Sequence, residues 1–216
     1  MKIVEAFWGE YAAGKSEVAV NRALQLAAVG QPVTLVDLDL VEPCYTLAAL
    51  ARPLARQGVE VLGGSSGLLG RGETGNILPA ANRWALRRMG CIILDLGYGV
   101  EGWRVLNLLE GLAETKELKI WAVLNTKRPL TSNLKQILAH LKQPPHLDGI
   151  INNTHLGAET TPEMVLKGWH LLQQAGQICS LPLVASTVLA EILPSVKLPG
   201  AVWPMVRWMP QAFWYN

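Results

Sequence analysis

The sequence predicts an α/β fold: a doubly wound, mostly parallel sheet between two layers of helices. Three observations predict it. Continuous apolar runs without polar alternation recur at residues 33–38, 91–97, 118–124 and 147–151, as expected of strands covered on both faces. Helical patterns separate them, so strand and helix alternate about seven times. Several runs end in a carboxylate or amide (Asp37, Asp95, Asn125, Asn152), at the strand ends outside which ligands of open α/β sheets sit.

The first sixteen residues organise the rest. Residues 2–8 read as a short apolar strand, and Gly9, Glu10, Tyr11, Ala12, Ala13, Gly14, Lys15 and Ser16 fit the phosphate-loop pattern G-x-x-x-x-G-K-S. Glu17 is counted with the loop as a nucleotide-contacting residue, and from it the pattern turns helical, with Val18, Ala19, Leu24, Leu26 and Ala27 as an apolar stripe. Strand, glycine-bounded loop and helix start together point backbone N–H groups at an anion. In that setting Lys15 reaches the β- and γ-phosphates of a nucleotide and Ser16 puts its hydroxyl on Mg²⁺.

The second strand, 33–39, carries Asp37 and Asp39 two residues apart, so both project on one side beside the phosphate loop. Residues 45–57 read as helix broken at Pro53, and 59–62 as a third strand. Residues 63–75 hold six glycines among thirteen, with Arg71 and Glu73, and form a long loop. Asn76 is placed to cap a helix reaching Arg88, which Gly90 ends. Residues 91–97 are a buried strand closing on Asp95-Leu96-Gly97, four apolar or sulfur-bearing residues and an Asp, the form of a carboxylate that holds Mg²⁺ directly or through water. A helix is expected over 101–116 and a strand over 118–124. Thr131 or Ser132 should cap a helix to Lys142, and a strand follows to Asn152-Asn153. Thr161 caps a long helix to about Cys179 with Pro162 at its first position, and 183–188 is the last strand. The division this suggests is a nucleotide-binding domain over 1–200 and an aromatic-rich tail over 201–216, where Trp203, Trp208, Phe213, Trp214 and Tyr215 crowd together.

Composition narrows the function. A 216-residue chain that is 50% apolar can bury one core of ordinary size, and its formal charge of +2 argues against nucleic acid as a partner. The three cysteines are far apart and odd in number, which argues against a disulfide framework. No signal-peptide pattern opens the chain and no apolar run approaches the ~20 residues that cross a bilayer, so a cytoplasmic protein is expected. Pro204 and Pro210 interrupt the aromatic tail and Arg207 is its one basic residue, which argues against a membrane-targeting helix there.

These motifs resemble the deviant-Walker P-loop ATPases of the MinD/ParA class, within the wider CobQ/MinD/ParA group, over most of residues 1–190. The secondary stretches beginning at Asp37, Asn125 and Asn152 resemble those of small bacterial ATP-binding proteins of that group. The resemblance implies ATP and Mg²⁺ as cofactors, with Lys15 and Ser16 on phosphate and metal. It implies Asp39 as the residue that orients or deprotonates the attacking water, Asp37 as support for Lys15 and the metal's water shell, and Asp95 as the Mg²⁺-associated acid. Asn152 or Asn153 would meet the adenine edge. It further implies a nucleotide-dependent homodimer that switches binding of a client protein. One position departs: where the class carries a signature lysine that reaches across the dimer, this chain has Glu10. A carboxylate beside polyphosphate must turn away or pair with a cation, so hydrolysis is expected to be slow or partner-stimulated. Arg71, or Lys127-Arg128, is available as a replacement cation. A second reading on the same fold is an ATP-dependent biosynthetic enzyme, amidoligase or dethiobiotin-synthetase-like. A third is an ATPase acting beside a metal carrier.

Overall fold

Among the described residues, eight strands form one all-parallel sheet in the order β3-β2-β4-β1-β5-β6-β7-β8. The computed structural model describes residues 2–40, 47–63 and 78–209. The strands are β1 (Ile3–Gly9), β2 (Val33–Leu38), β3 (Val59–Leu62), β4 (Cys91–Tyr98), β5 (Leu118–Leu124), β6 (Gly149–Asn152), β7 (Leu183–Leu189) and β8 (Val202–Met205). The helices are α1 (Lys15–Ala28), α2 (Ala51–Ala55), α3 (Ala80–Arg83), α4 (Gly99–Arg104), α5 (Leu134–Leu141) and α6 (Pro162–Cys179).

The apolar runs behave as their composition requires. Every residue of β2 is buried, as is β4 from Cys91 to Gly97, because helices cover both faces. Val18, Val20 and Ala23 of α1 pack with Phe7, Leu35 and Ile93 on one face of the sheet. Ile137 and Leu172, from α5 and α6, pack with Trp8, Leu94 and Leu124 on the other. The chain runs from β1 outward to β3 on one side, returns to β4, then builds outward to β8 on the other. The reversal falls beside β1, and that is where the carboxyl ends of β1, β2, β4, β5 and β6 gather and a ligand crevice belongs.

Several expected helices are shorter than the sequence suggests. The helix over 101–116 is α4 followed by one tight 3₁₀ turn, Val105–Leu108; Gly111 then takes a left-handed φ of 85°, which a right-handed helix cannot continue through. The helix of 131–142 begins later, at α5. Its cap is Asn133, which accepts from the Gln136 amide at 3.1 Å, because the Thr131 hydroxyl is committed to the Asn125 carbonyl at 2.7 Å. In 45–57 the described part is a 3₁₀ turn, Leu47–Leu50, then α2, where Pro53 falls in the first turn and its missing N–H costs nothing. The helix ending near Arg88 is a single turn, α3, plus the 3₁₀ turn Ala85–Arg87. The cap on α6 is Thr161, accepting from the Met164 amide, with Pro162 at the first position.

Val202–Met205, within the expected tail, is the last strand of the sheet and pairs in parallel with β7 (Ser186↔Val202 through Leu189↔Met205). Glu73, Arg71, Asn76, Cys44, Phe213, Trp214 and Tyr215 lie outside the described residues.

Candidate functional site

β1 delivers Gly9 to the switch point, and the next five residues turn back into α1. The turn is tight: Ala12 adopts a left-handed φ of 56°, Gly14 one of 84°, and the Ala13 amide closes it by donating to the Glu10 carbonyl at 3.2 Å. Gly14 is required on a second count. A Cβ there would lie 2.4 Å from Nδ2 of Asn153. No side chain caps the amino end of α1, so its first N–H groups are left to a ligand, and the helix dipole makes an anion the favoured one.

Lys15 is buried and donates from Nζ to the Glu10 carbonyl at 3.1 Å, within its own loop. Ser16 hydrogen-bonds Asp95, bringing the loop to the end of β4. Asp95 is 1% exposed and sits directly across from Asp37, its register partner on β2. Burial first, then the negative charge of Asp37, push its carboxyl well above the usual range; Ser16 and Lys15 offset only part of this. One of its oxygens, Oδ1, has no hydrogen-bond partner in the structure. A buried oxygen left unsatisfied is costly and marks the place where a cation fits. Among the described residues no three His, Cys, Asp or Glu side chains form a metal cluster.

Asp37 does a different job from the metal support expected of it. Its two oxygens accept from the amides of Asp39 (3.2 Å) and Leu47 (3.0 Å), so it holds the chain where it leaves β2. Asn82 fixes the same residue from below, donating to its carbonyl at 2.8 Å. Asp39 lies one residue beyond β2, half-buried, on the same side as the loop.

The two asparagines are corrected more firmly. Asn152 is fully buried; its amide donates to the Val165 carbonyl and the Ser186 hydroxyl and accepts from the Thr154 amide. Asn153 donates to the Ala13 carbonyl at 2.7 Å and accepts from the Thr187 hydroxyl. With both amides spent inside the protein, neither presents an edge to a base. Asn153 positions the phosphate loop instead. Glu17 also departs from a ligand role: its carboxylate accepts from the amides of Trp208 and Met209, at 2.9 and 2.7 Å. Burial raises its pKa, and those two amides lower it again.

Glu10 turns away from the phosphate side. One oxygen accepts from the Tyr11 amide, and the other lies 3.6 Å from Nδ1 of His140. Arg128 comes to the loop from after β5, its Nε donating to the Ala12 carbonyl at 2.9 Å, while Lys127 stays exposed. Tyr11, partly exposed, meets Tyr98 edge-on at 5.7 Å, and the Trp8 indole donates to the Gly99 carbonyl at 2.7 Å. The loop is thus tied to the segment that follows Asp95.

His140 gave no signal in the sequence, because its role is set by packing. It is buried and stacks on Trp8 at 4.4 Å, and burial lowers its pKa to about 4. The ring is therefore neutral at pH 7, and its approach to Glu10 is not an ion pair. His155, beside Gly14, is lowered to about 4 by burial, Arg128 and Arg207. Both rings refuse a proton that the unfolded chain accepts near pH 6.5, so stability falls as pH drops from 6.5 towards 4. His140→Phe, which keeps the stack, should make urea-measured stability less steep in that window, by up to about 1.4 kcal/mol per pH unit.

No family model and no curated protein matches the chain by sequence. Solved structures do match by fold. The cell division protein FtsY of Thermotoga maritima aligns over 87% of this chain and 62% of its own, at 18% identity and a TM-score of 0.58. A nucleotide-binding protein of Archaeoglobus fulgidus in complex with ADP aligns over 86% and 81%, at 14% identity and 0.53. The septum site-determining protein MinD of Pyrococcus horikoshii, complexed with Mg-ADP, aligns over 87% and 81%, at 19% identity and 0.51. The chain spans about three fifths of the FtsY that it matches. It has the fold that these proteins share, the α/β sandwich of P-loop NTPases, MinD-like in its parallel sheet.

Proposed function

We propose that this chain binds a Mg²⁺–nucleoside polyphosphate, ATP first, and works as a nucleotide-dependent switch on a partner protein. One observation carries the reading: the uncapped amino end of α1, with Lys15, meets buried Asp95 through Ser16, and the Oδ1 of Asp95 is left without a partner. The bound ADP of the A. fulgidus protein and Mg-ADP of MinD support it. In this reading the loop amides and Lys15 hold the phosphates, and Ser16 and Asp95 hold the metal. The metal would supply charge neutralisation between the β- and γ-phosphates. Asp39 is the residue assigned to the attacking water. Arg128, which holds the Ala12 carbonyl of the loop, is the replacement cation in this reading. With Glu10 facing His140, no loop side chain other than Lys15 offers charge to the transition state, which favours slow, partner-stimulated hydrolysis. A homodimer with nucleotide at its interface and a client protein complete the proposal. Among the described residues no helix is long and apolar enough to cross a membrane.

The test is equilibrium binding of ATP, ADP and GTP, with and without Mg²⁺, with molecular mass read in the same samples. Micromolar binding that Lys15→Ala weakens at least tenfold supports the reading, and a mass that doubles with ATP supports the dimer. Equal binding by wild type and Lys15→Ala would sink it.

A further inference from the structure

Glu17, Asn21 and Gln25 lie at i, i+4 and i+8, one polar row along α1. Each takes hold of the backbone of the C-terminal segment, in order. Gln25 donates to the Pro204 carbonyl at 3.3 Å. Asn21 pairs with Val206 twice, donating to its carbonyl and accepting from its amide, both at 2.9 Å. Glu17 accepts from Trp208 and Met209. The match is geometric. Four residues of helix advance about 6 Å and two of extended chain about 6.6 Å, so every fourth side chain meets every second backbone unit. Arg22, bidentate on buried Glu5, adds its guanidinium over the Trp203 ring at 4.8 Å.

This row ends at the nucleotide. Glu17 is in the first turn after the phosphate loop. Beneath the segment lies a cavity of about 10 Å³, the room of one water, lined by Glu17, Asn153, His155, Thr187, Met205 and Arg207. In the reading above, Ser16 and Asp95 put the metal, and Asp39 the attacking water, on the β2–β4 side of the loop. The nucleoside end therefore leaves on the other side, where β6 and β7 end and this cavity sits.

We infer that residues 206–209, which follow β8, form a strap over the nucleoside end of the site, which nucleotide must lift from Glu17 in order to enter. The inference rests on the nucleotide-binding reading above. A space for one water does not admit a sugar and base, and Arg207 is the part of its wall that the strap contributes. The ligand also weakens the latch. Its phosphate and the Glu17 carboxylate compete for the same positive end of α1, and like charges there repel. Nucleotide entry and strap release are thereby one equilibrium, and the lifted strap frees Trp208 from the core it now covers.

The test uses the full chain. Mg-ADP binding is measured by calorimetry for wild type and Asn21→Ala, which loosens the row away from the cavity. Hydrogen exchange at the amides of Val206, Trp208 and Met209 is followed with and without Mg-ADP. Expected are roughly tenfold tighter binding by Asn21→Ala, since the closed fraction no longer opposes entry, and loss of amide protection in wild type at saturation. Binding by wild type with those amides still protected, or weaker binding by Asn21→Ala, overturns the strap and leaves nucleotide binding standing. No binding by wild type or variant overturns both. Thermal melts of each sample confirm that the variant is folded.

Discussion

Asp95→Asn is expected to make the nucleotide-free protein more stable and its response to Mg²⁺ much weaker. The native carboxyl is buried opposite Asp37 with one oxygen unsatisfied, and its pKa lies well above that of an ordinary aspartate. The folded state therefore binds more protons than the unfolded one once pH exceeds the ordinary aspartate value. Stability then falls with rising pH until the raised pKa is passed. Asparagine escapes that loss. The gain should be near zero well below pH 3.8, where both states of the wild type are protonated, and reach roughly 1–3 kcal/mol at pH 7. Urea unfolding in chelator, at both pH values, measures it. The same change removes the metal's anionic ligand, so the Mg²⁺-dependent gain in ADP affinity should drop roughly 10–100-fold. A variant that is less stable at pH 7, or that keeps its Mg²⁺ response, would show that Asp95 is a structural residue.

Gly102→Ala should damage the fold where it matters to the site. Gly102 sits in α4, against the strand end that follows Asp95, and a Cβ on it would lie 2.0 Å from the Gly97 carbonyl oxygen. The obstacle is backbone and cannot swing aside as a side chain could, so α4 must move off β4. Overpacking commonly costs about 1–3 kcal/mol, and a backbone clash belongs at or above the top of that range. α4 also carries the Gly99 carbonyl that Trp8 grips, so the phosphate loop should loosen with it. The expected result is a loss of about 3 kcal/mol in urea unfolding, with nucleotide affinity reduced in whatever remains folded. Wild-type stability in this variant would mean that α4 packs more loosely than its contact with Gly97 implies.

The fold was legible because its signals are local. Four apolar runs, a phosphate-loop pattern and carboxylates at strand ends suffice to specify a doubly wound sheet, and Thr161-Pro162 marked the start of α6 correctly. What failed depends on distant partners. Thr131 looked like a cap, but Asn125 claims its hydroxyl across the loop. Asn152 and Asn153 carry the right chemistry for a base edge, yet Val165, Ser186, Thr187 and Ala13 use it first. Glu17 read as part of the phosphate loop because nothing near it in sequence shows that Trp208 and Met209 come to it. The one signal available was the polar row Glu17, Asn21, Gln25, every fourth residue along α1.

The sheet order also dictates when this protein can fold. β1 is made first yet lies in the middle, with Ile3 beside Cys91 on one flank and Val4 beside Leu118 on the other. Until β4 and β5 exist, the first strand has both hydrogen-bonding edges bare and the loop after it has nothing to hold its shape. A nascent chain that stops short of β4 therefore leaves that loop unsupported, and an apolar strand waits for partners 88 and 114 residues further on (Ile3 to Cys91, Val4 to Leu118). Such long-range pairing slows folding and leaves the early chain prone to sticking. The consequence is a dependence on whatever shelters that strand as it leaves the ribosome, and it is set by topology alone.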